Sequence, residues 1–170
     1  MFQRLGDARR GDLSAGIQAL RDGLDQAGEA RFLPRFLLLL GELAACLGKA
    51  GEIALGLETV EQTLARCEAR DERWYVAELL RIKGELTLLE GGTDAAAAAE
   101  RHFLEALDCA RSQGALSWEL RAAASLARRW RDQHRAAEAR ELLGSVYGRF
   151  TEGFSTTDLR EAVSLLEEFD

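Results

Sequence analysis

Apolar side chains recur along this chain every three or four residues, and the runs are broken by glycine-rich or charged pauses. That spacing predicts amphipathic helices. Turn signals at Gly11-Asp12, Gly28, Gly48-Lys49-Ala50-Gly51, Gly91-Gly92-Thr93-Asp94, Gly114 and His134-Arg135 place those helices at roughly 13–27, 32–47, 51–69, 72–89, 94–113, 116–133, 136–150 and 157–168. Every connection is short, so consecutive helices are expected to pack as antiparallel neighbours.

The helix at 72–89 has apolar residues around most of its circumference. One row runs Tyr75, Leu79, Ile82, Leu86, Leu89 and a second runs Val76, Leu80, Gly84, Thr87, while Glu78, Arg81 and Glu85 form the remaining strip. Two apolar rows suit a helix sandwiched between its hairpin partner and the next unit, with the polar strip left to water or a ligand.

The pattern also repeats at long range. "GIQALRDGL" at Gly16, "GLETVEQTL" at Gly56, "AERHFLEAL" at Ala99 and "ARELLGSVY" at Ala139 each place an apolar residue four positions after a small one, and their starts are 40, 43 and 40 residues apart. The alternate helices align Gly41, Gly84 and Ala127 at two successive intervals of 43 residues. Small residues there let neighbouring helices approach closely, and close packing offsets the ~1 kcal/mol of helix propensity that Gly84 sacrifices relative to alanine.

Composition narrows the class to all-α: Pro34 is the one proline of the chain, and Ala, Leu, Arg and Glu dominate while β-branched residues are sparse. With 29 acidic against 22 basic side chains, the net charge of −7 opposes general attraction to nucleic acid. Cys46, Cys67 and Cys109 are an odd, unpaired set within helical patterns and read as reduced, mostly buried small hydrophobes in a cytoplasmic protein. No membrane span is expected, because no run approaches the ~20 apolar residues that crossing requires. The opening "MFQRLGDARRGDLS" carries a helical phrase that stops early, which fits a chain beginning partway through a larger array.

These alternating helices resemble tetratricopeptide repeats. Leu40-Gly41 in a first helix, and Ala99, Phe103 and Ala106 in a second, match the family's small and large positions. Leu126, Ala127, Trp130, Ala139, Leu143 and Val146 match best, with His134 where the family often has glycine. The two earlier complete units carry three extra residues, between Gly41 and Gly56 and between Gly84 and Ala99, which makes them degenerate members. More finely, "ERWYVAELLRIKGELTLL" and the stretch from Gly114 to Ala162 are similar to the carboxy-terminal helical-repeat region of large bacterial signalling proteins, where such repeats follow an ATPase module of AAA or STAND type, often with a nucleotide cyclase domain ahead of it. The resemblance implies a right-handed α-α superhelix in a single domain. It would hold a partial repeat at 1–28, repeats at about 32–69, 72–113 and 116–150, and a capping helix at about 157–168.

By the same resemblance the first helices line the concave surface. The strip would comprise Arg35, Leu38 and Glu42, then Glu78, Arg81 and Glu85, then Arg121, Arg128 and Arg131. Its mixed charges do not reproduce the lysine and asparagine arrangement with which some such domains hold a peptide carboxylate. The locally basic third unit, with Arg121, Arg128, Arg129, Arg131, Arg135 and Arg140, offers forked donors for a carboxylate or phosphate, or else is a solvated face with Glu119, Asp132 and Glu138 as neighbours. Trp118 and Trp130 are candidate recognition aromatics, but Trp130 occupies a packing position of the repeat and is read as core. Trp74 is either a lid over the seam between units or part of a recognition surface.

No catalytic constellation can be assembled around His102 or His134. His102 and Cys109 lack a second ligand pair for a metal, and "GELAACLGKA" fails the phosphate-loop spacing. Neither catalytic residues, a cofactor nor a metal is assigned. "STTDLREAVSLLEEF" reads as a capping helix with Thr156 or Thr157 as its amino-terminal cap, Leu159, Val163 and Leu166 as its apolar row, and Glu167 and Glu168 toward water.

The expected function is a noncatalytic protein-interaction or regulatory scaffold within a signalling ATPase or cyclase, binding a protein, a peptide or another domain through Arg81, Glu85, Arg121, Arg128, Arg131 and Trp74. The alternative is a small-molecule or anion sensor using the same groove. Self-association through the amino-terminal end is a further expected mode.

Overall fold

The computed structural model describes residues 13–27 and 34–169, with the side chains of residues 27, 34 and 35 excepted. Eight α-helices follow one another among the described residues, and no strand occurs. They are α1 (Leu13–Ala27), α2 (Pro34–Lys49), α3 (Ile53–Arg70), α4 (Val76–Glu90), α5 (Ala95–Ser112), α6 (Leu116–Asp132), α7 (Ala136–Tyr147) and α8 (Thr157–Glu167), with a 3-10 turn at Arg73–Tyr75 leading into α4. The protein is all-α.

Four of the connections share one construction. The backbone N–H groups of Glu52, Glu72, Ala115 and Arg135 each donate to the carbonyl five residues back, on Leu47, Cys67, Ala110 and Trp130, at 2.9 Å in every case. The residue before each donor has positive φ: Gly51, Asp71, Gly114 and His134. This is the left-handed cap that ends a helix and reverses the chain while occupying otherwise orphaned carbonyls. Glycine adopts it freely; Asp71 and His134 adopt it at some backbone cost.

The reversals bring each helix against the next in sequence. In addition, α2, α4, α6 and α8 touch one another in order, whereas α1, α3, α5 and α7 meet chiefly their sequence neighbours. The even-numbered helices therefore form one continuous row, and the odd-numbered ones pack along it. Ile17 and Leu20 of α1 join Leu39, Leu43, Cys46 and Leu47 of α2; Leu37 and Ala44 join Val60, Cys67, Tyr75, Leu79, Ile82 and Leu86; and Ala106 and Leu107 join Leu120, Ala123, Leu143, Val146, Leu159 and Leu165. Burial is thus handed along the row from one seam to the next, and α8 closes the last one.

At Gly41 and Gly84 the small residue does admit close approach, but what enters is an aromatic ring and not neighbouring backbone. A Cβ placed on Gly84 would lie 2.5 Å from the Phe103 ring of its hairpin partner α5, and one on Gly41 would lie 2.7 Å from the ring of Tyr75 ahead of α4. At the third position Ala127 is fully buried, and Leu143 stands where α5 has Phe103. The size of the second-helix residue compensates for the size of the first-helix one. At Gly41 the position equivalent to Phe103 is the small Val60, and Tyr75 from the next unit fills the notch instead.

The apolar row predicted on α4 is buried from Tyr75 through Leu86, while Leu89 at its end is exposed. On α8 the buried stripe is Leu159, Ala162 and Leu165, rotated one position from the expected row; Val163 and Leu166 are half-buried. Thr156 is the residue ahead of that helix, but its hydroxyl makes no capping bond; its carbonyl accepts from the N–H of Arg160 at 3.1 Å. Cys46 and Cys67 are buried free thiols and Cys109 is a half-buried one. Burial, with Glu72 beside it, pushes the Cys67 thiol up to about 11, so it stays protonated. The amino-terminal part of the partial repeat, before residue 13, lies outside the described residues.

Candidate functional site

The even-numbered row encloses a groove of about 550 Å³. Glu42, Ala45 and Lys49 of α2 border one end, and Thr157, Asp158 and Glu161 border the other. Between them lie Glu78, Arg81, Ile82, Glu85 and Leu86 of α4 and Leu120, Arg121, Ala124, Ser125 and Arg128 of α6. The floor is aliphatic and the walls are charged, with five carboxylates facing four cations.

Glu78 organises the walls. Arg81, one turn on, donates to it from Nε and from a terminal nitrogen at 2.9 Å each, and Arg121 reaches across from α6 to within 2.8 Å. The strip expected to face water is therefore interrupted at its first member: Glu78 is only 2% exposed, because guanidinium groups from its own helix and from the neighbouring one cover it. Burial works against the charge on Arg81, but Glu78 outweighs it and the guanidinium is held more firmly charged than usual. Glu85, one turn further along, accepts from the Ser125 hydroxyl at 2.6 Å and lies 3.4 Å from Arg81. Two helices are thus tied across the groove by one buried and one half-exposed carboxylate.

Three arginines of α6 lie beside carboxylates on α8 or just past its end. Arg121 lies 3.9 Å from Asp158, Arg128 lies 3.6 Å from Glu161, and Arg131 pairs with Glu168 as well as with Asp132. Of the neighbours named from the sequence, Glu138 does pair with an arginine of that unit, whereas Glu119 belongs elsewhere. Buried Glu119 holds Arg111 at 3.0 Å and Arg149 at 2.5 Å, and Glu138 holds Arg135. Three of the six arginines in the basic patch, Arg121, Arg128 and Arg131, thus face acidic side chains at α8, while the Nε of Arg129 is buried without a hydrogen-bond partner among the described residues.

Of the six residues singled out for partner binding, Arg81, Glu85, Arg121 and Arg128 line the groove together. Arg131 and Trp74 do not. Arg131 lies at the carboxy-terminal turn of α6, against α8, and Trp74 sits on the 3-10 turn before α4, 41% exposed, with its ring 5.1 Å from that of Tyr75. Leu38 packs into the seam with Leu37 and Val60 instead of facing the groove, and the side chain of Arg35 lies outside the described residues. The groove wall on α2 begins at Glu42 and continues to Ala45 and Lys49, which sequence alignment of the helices did not select.

The tryptophans are structural in their contacts. Trp118 meets the Tyr75 ring edge-on at 5.5 Å, and Trp130 donates from its indole nitrogen to Glu100 at 2.8 Å with the Arg135 guanidinium 4.4 Å from its ring centre. Among the described residues no group of three or more His, Cys, Asp and Glu side chains is placed to hold a metal ion, and no helix is long and apolar enough to cross a membrane. His102 turns to Glu105 of its own helix, 3.5 Å away.

No family model matches the chain. Over 129 residues it is 30% identical to an uncharacterized protein of Rhizobium meliloti (strain 1021), a match covering 74% of this chain and 12% of that protein. The chain thus corresponds to a small part of a much longer relative.

Proposed function

We propose that this chain is a noncatalytic protein-interaction module, the regulatory segment of a larger bacterial signalling ATPase or nucleotide cyclase, working in the cytoplasm. Its helix hairpins form a tetratricopeptide-like right-handed superhelix whose concave face is the groove on α2, α4, α6 and α8. The occupant is a peptide, a helix or another domain. The observation that carries this reading is the division of labour along the even-numbered row: large apolar side chains close the seams, while Glu42, Lys49, Glu85 and Arg128 stand at the groove over an aliphatic floor. Charged rims around apolar centres suit macromolecular docking. The match to a small part of a long relative suits a segment serving other domains.

A sensor for a small anion fits the same groove less well. Its cations are outnumbered by carboxylates, and Arg81 and Arg121 already direct their donors to Glu78. The docking reading is tested by installing a photo-crosslinking residue in the parent protein inside cells, at Lys49 or Arg128 on the groove, and at Glu58 or Arg101 on the exposed faces of α3 and α5. Groove positions are expected to yield a discrete product that the outer positions do not. Products from the outer positions alone would refute the assignment.

A further inference from the structure

The helix α8 makes its contacts with α6 and α7. Leu159, Ala162 and Leu165 hold it in the cluster formed with Leu120, Ala123, Leu143 and Val146, and Leu166 packs against the same cluster. Its three ion pairs to α6 are substantially open to solvent, so they orient the helix more than they retain it. With 11 residues, α8 is below the ~12–15 at which an isolated helix persists in water, so once released it unfolds. The segment tethering it, residues 148–156, is exposed except at Phe150.

Position and charge complete the case. Thr157, Asp158 and Glu161 form one wall of the groove, so displacing the helix opens this end of it. Asp158, Glu161 and Glu168 recur at intervals of three and seven residues and share one helical face, which is the face turned to Arg121, Arg128 and Arg131. We propose that α8 is a displaceable wall at this end of the groove, and that the partner is an acidic amphipathic helix that takes its seat on α6 and α7. Such a partner presents carboxylates to Arg121, Arg128 and Arg131 and aliphatic side chains to Leu120, Leu143 and Val146. This deepens the docking reading and rests on it. Its test uses the chain's own helix as probe, so failure here leaves the groove assignment to be decided by the crosslinking experiment.

The test uses the full chain carrying Leu159→Asp and Leu165→Asp, which undocks α8, and a fluorescent peptide spanning residues 155–169. The variant is expected to bind the peptide roughly tenfold or more tightly than the unaltered chain, whose tethered α8 competes for the seat. A peptide carrying Asp158→Lys, Glu161→Lys and Glu168→Lys is expected to bind roughly tenfold more weakly, since three attractive pairs become repulsive. Equal binding of the two peptides, or no binding by a variant that still melts cooperatively, would overturn the proposal. If the variant does not fold, hydrogen exchange on the unaltered chain decides: α8 amides are expected to open at least about tenfold more often than those of α4 and α6. Opening of all three helices together would overturn it, as would concentration-dependent dimers that exchange α8 between copies.

Discussion

Gly84 shows how a single missing methyl group determines which ring sits beside it. Alanine would recover ~1 kcal/mol of helix propensity but would drive a Cβ to 2.5 Å from Phe103, and overpacking of that kind costs ~1–3 kcal/mol. Gly84→Ala is therefore expected to destabilise by roughly 1 kcal/mol, and Phe103→Leu alone by a similar amount through the void it leaves. The double variant reproduces the pairing of Ala127 with Leu143 and is expected to be more stable than the sum of the single changes by roughly 1 kcal/mol, measured by urea denaturation. Strict additivity would show that the two positions do not share one space. The interval of 43 residues made the small positions visible in the sequence. That Tyr75 fills the notch at Gly41 was not visible, because the ring comes from the following unit and sits outside the repeated phrase.

At the scale of elements, carboxylates join neighbouring helices, and burial sets how much each contributes. Glu78 and Glu85 both bridge α4 and α6, but the side chain of Glu78 is 3% exposed and that of Glu85 is 41% exposed. Glu78→Leu removes the partner of two half-buried guanidinium groups and is expected to cost roughly 3 kcal/mol. For a chain of this length that lowers the melting temperature by about 10 °C. Glu85→Ala is expected to cost less than about 1 kcal/mol; equal losses would contradict the ranking. Glu100 of α5 does the corresponding work outside the groove. Burial opposes its charge, but hydrogen bonds from Trp130, Gln133 and Arg135 overcome that and hold its carboxyl below the ordinary carboxylate value. Since the folded value is depressed, its stabilising contribution is complete above the unfolded value and is lost as pH falls through the folded one. Acid unfolding followed by tryptophan fluorescence is expected to be less steep for Glu100→Gln below about pH 5, and an unchanged profile would remove Glu100 from the account.

At the scale of the whole molecule, helix positions were legible because glycine-rich breaks and apolar periodicity are local properties. The left-handed cap at His134 falls where the sequence comparison placed a glycine-like position, and Arg81, Glu85, Arg121 and Arg128 do converge on one groove. Relations between helices were less legible. Arg121, Arg128 and Arg131 of α6 looked available until Asp158, Glu161 and Glu168 came to lie beside them, and Glu78 looked solvated until Arg121 covered it. Trp74 and Arg131 lie on helix ends, where a shift of one turn carries a side chain out of the groove.

The central claim is that the charged rim of the groove receives a macromolecule. Its most direct measurement is the affinity of the purified chain for the protein or domain crosslinked through Lys49 or Arg128, compared among the unaltered chain, a Lys49→Glu and Arg128→Glu variant, and an outer-face control carrying Glu58→Lys and Arg101→Glu. The account predicts about a tenfold or greater loss for the groove variant, with helical content and melting temperature little changed, and near-unaltered binding for the control. Full affinity in the groove variant, or an equal loss in the control, would contradict it.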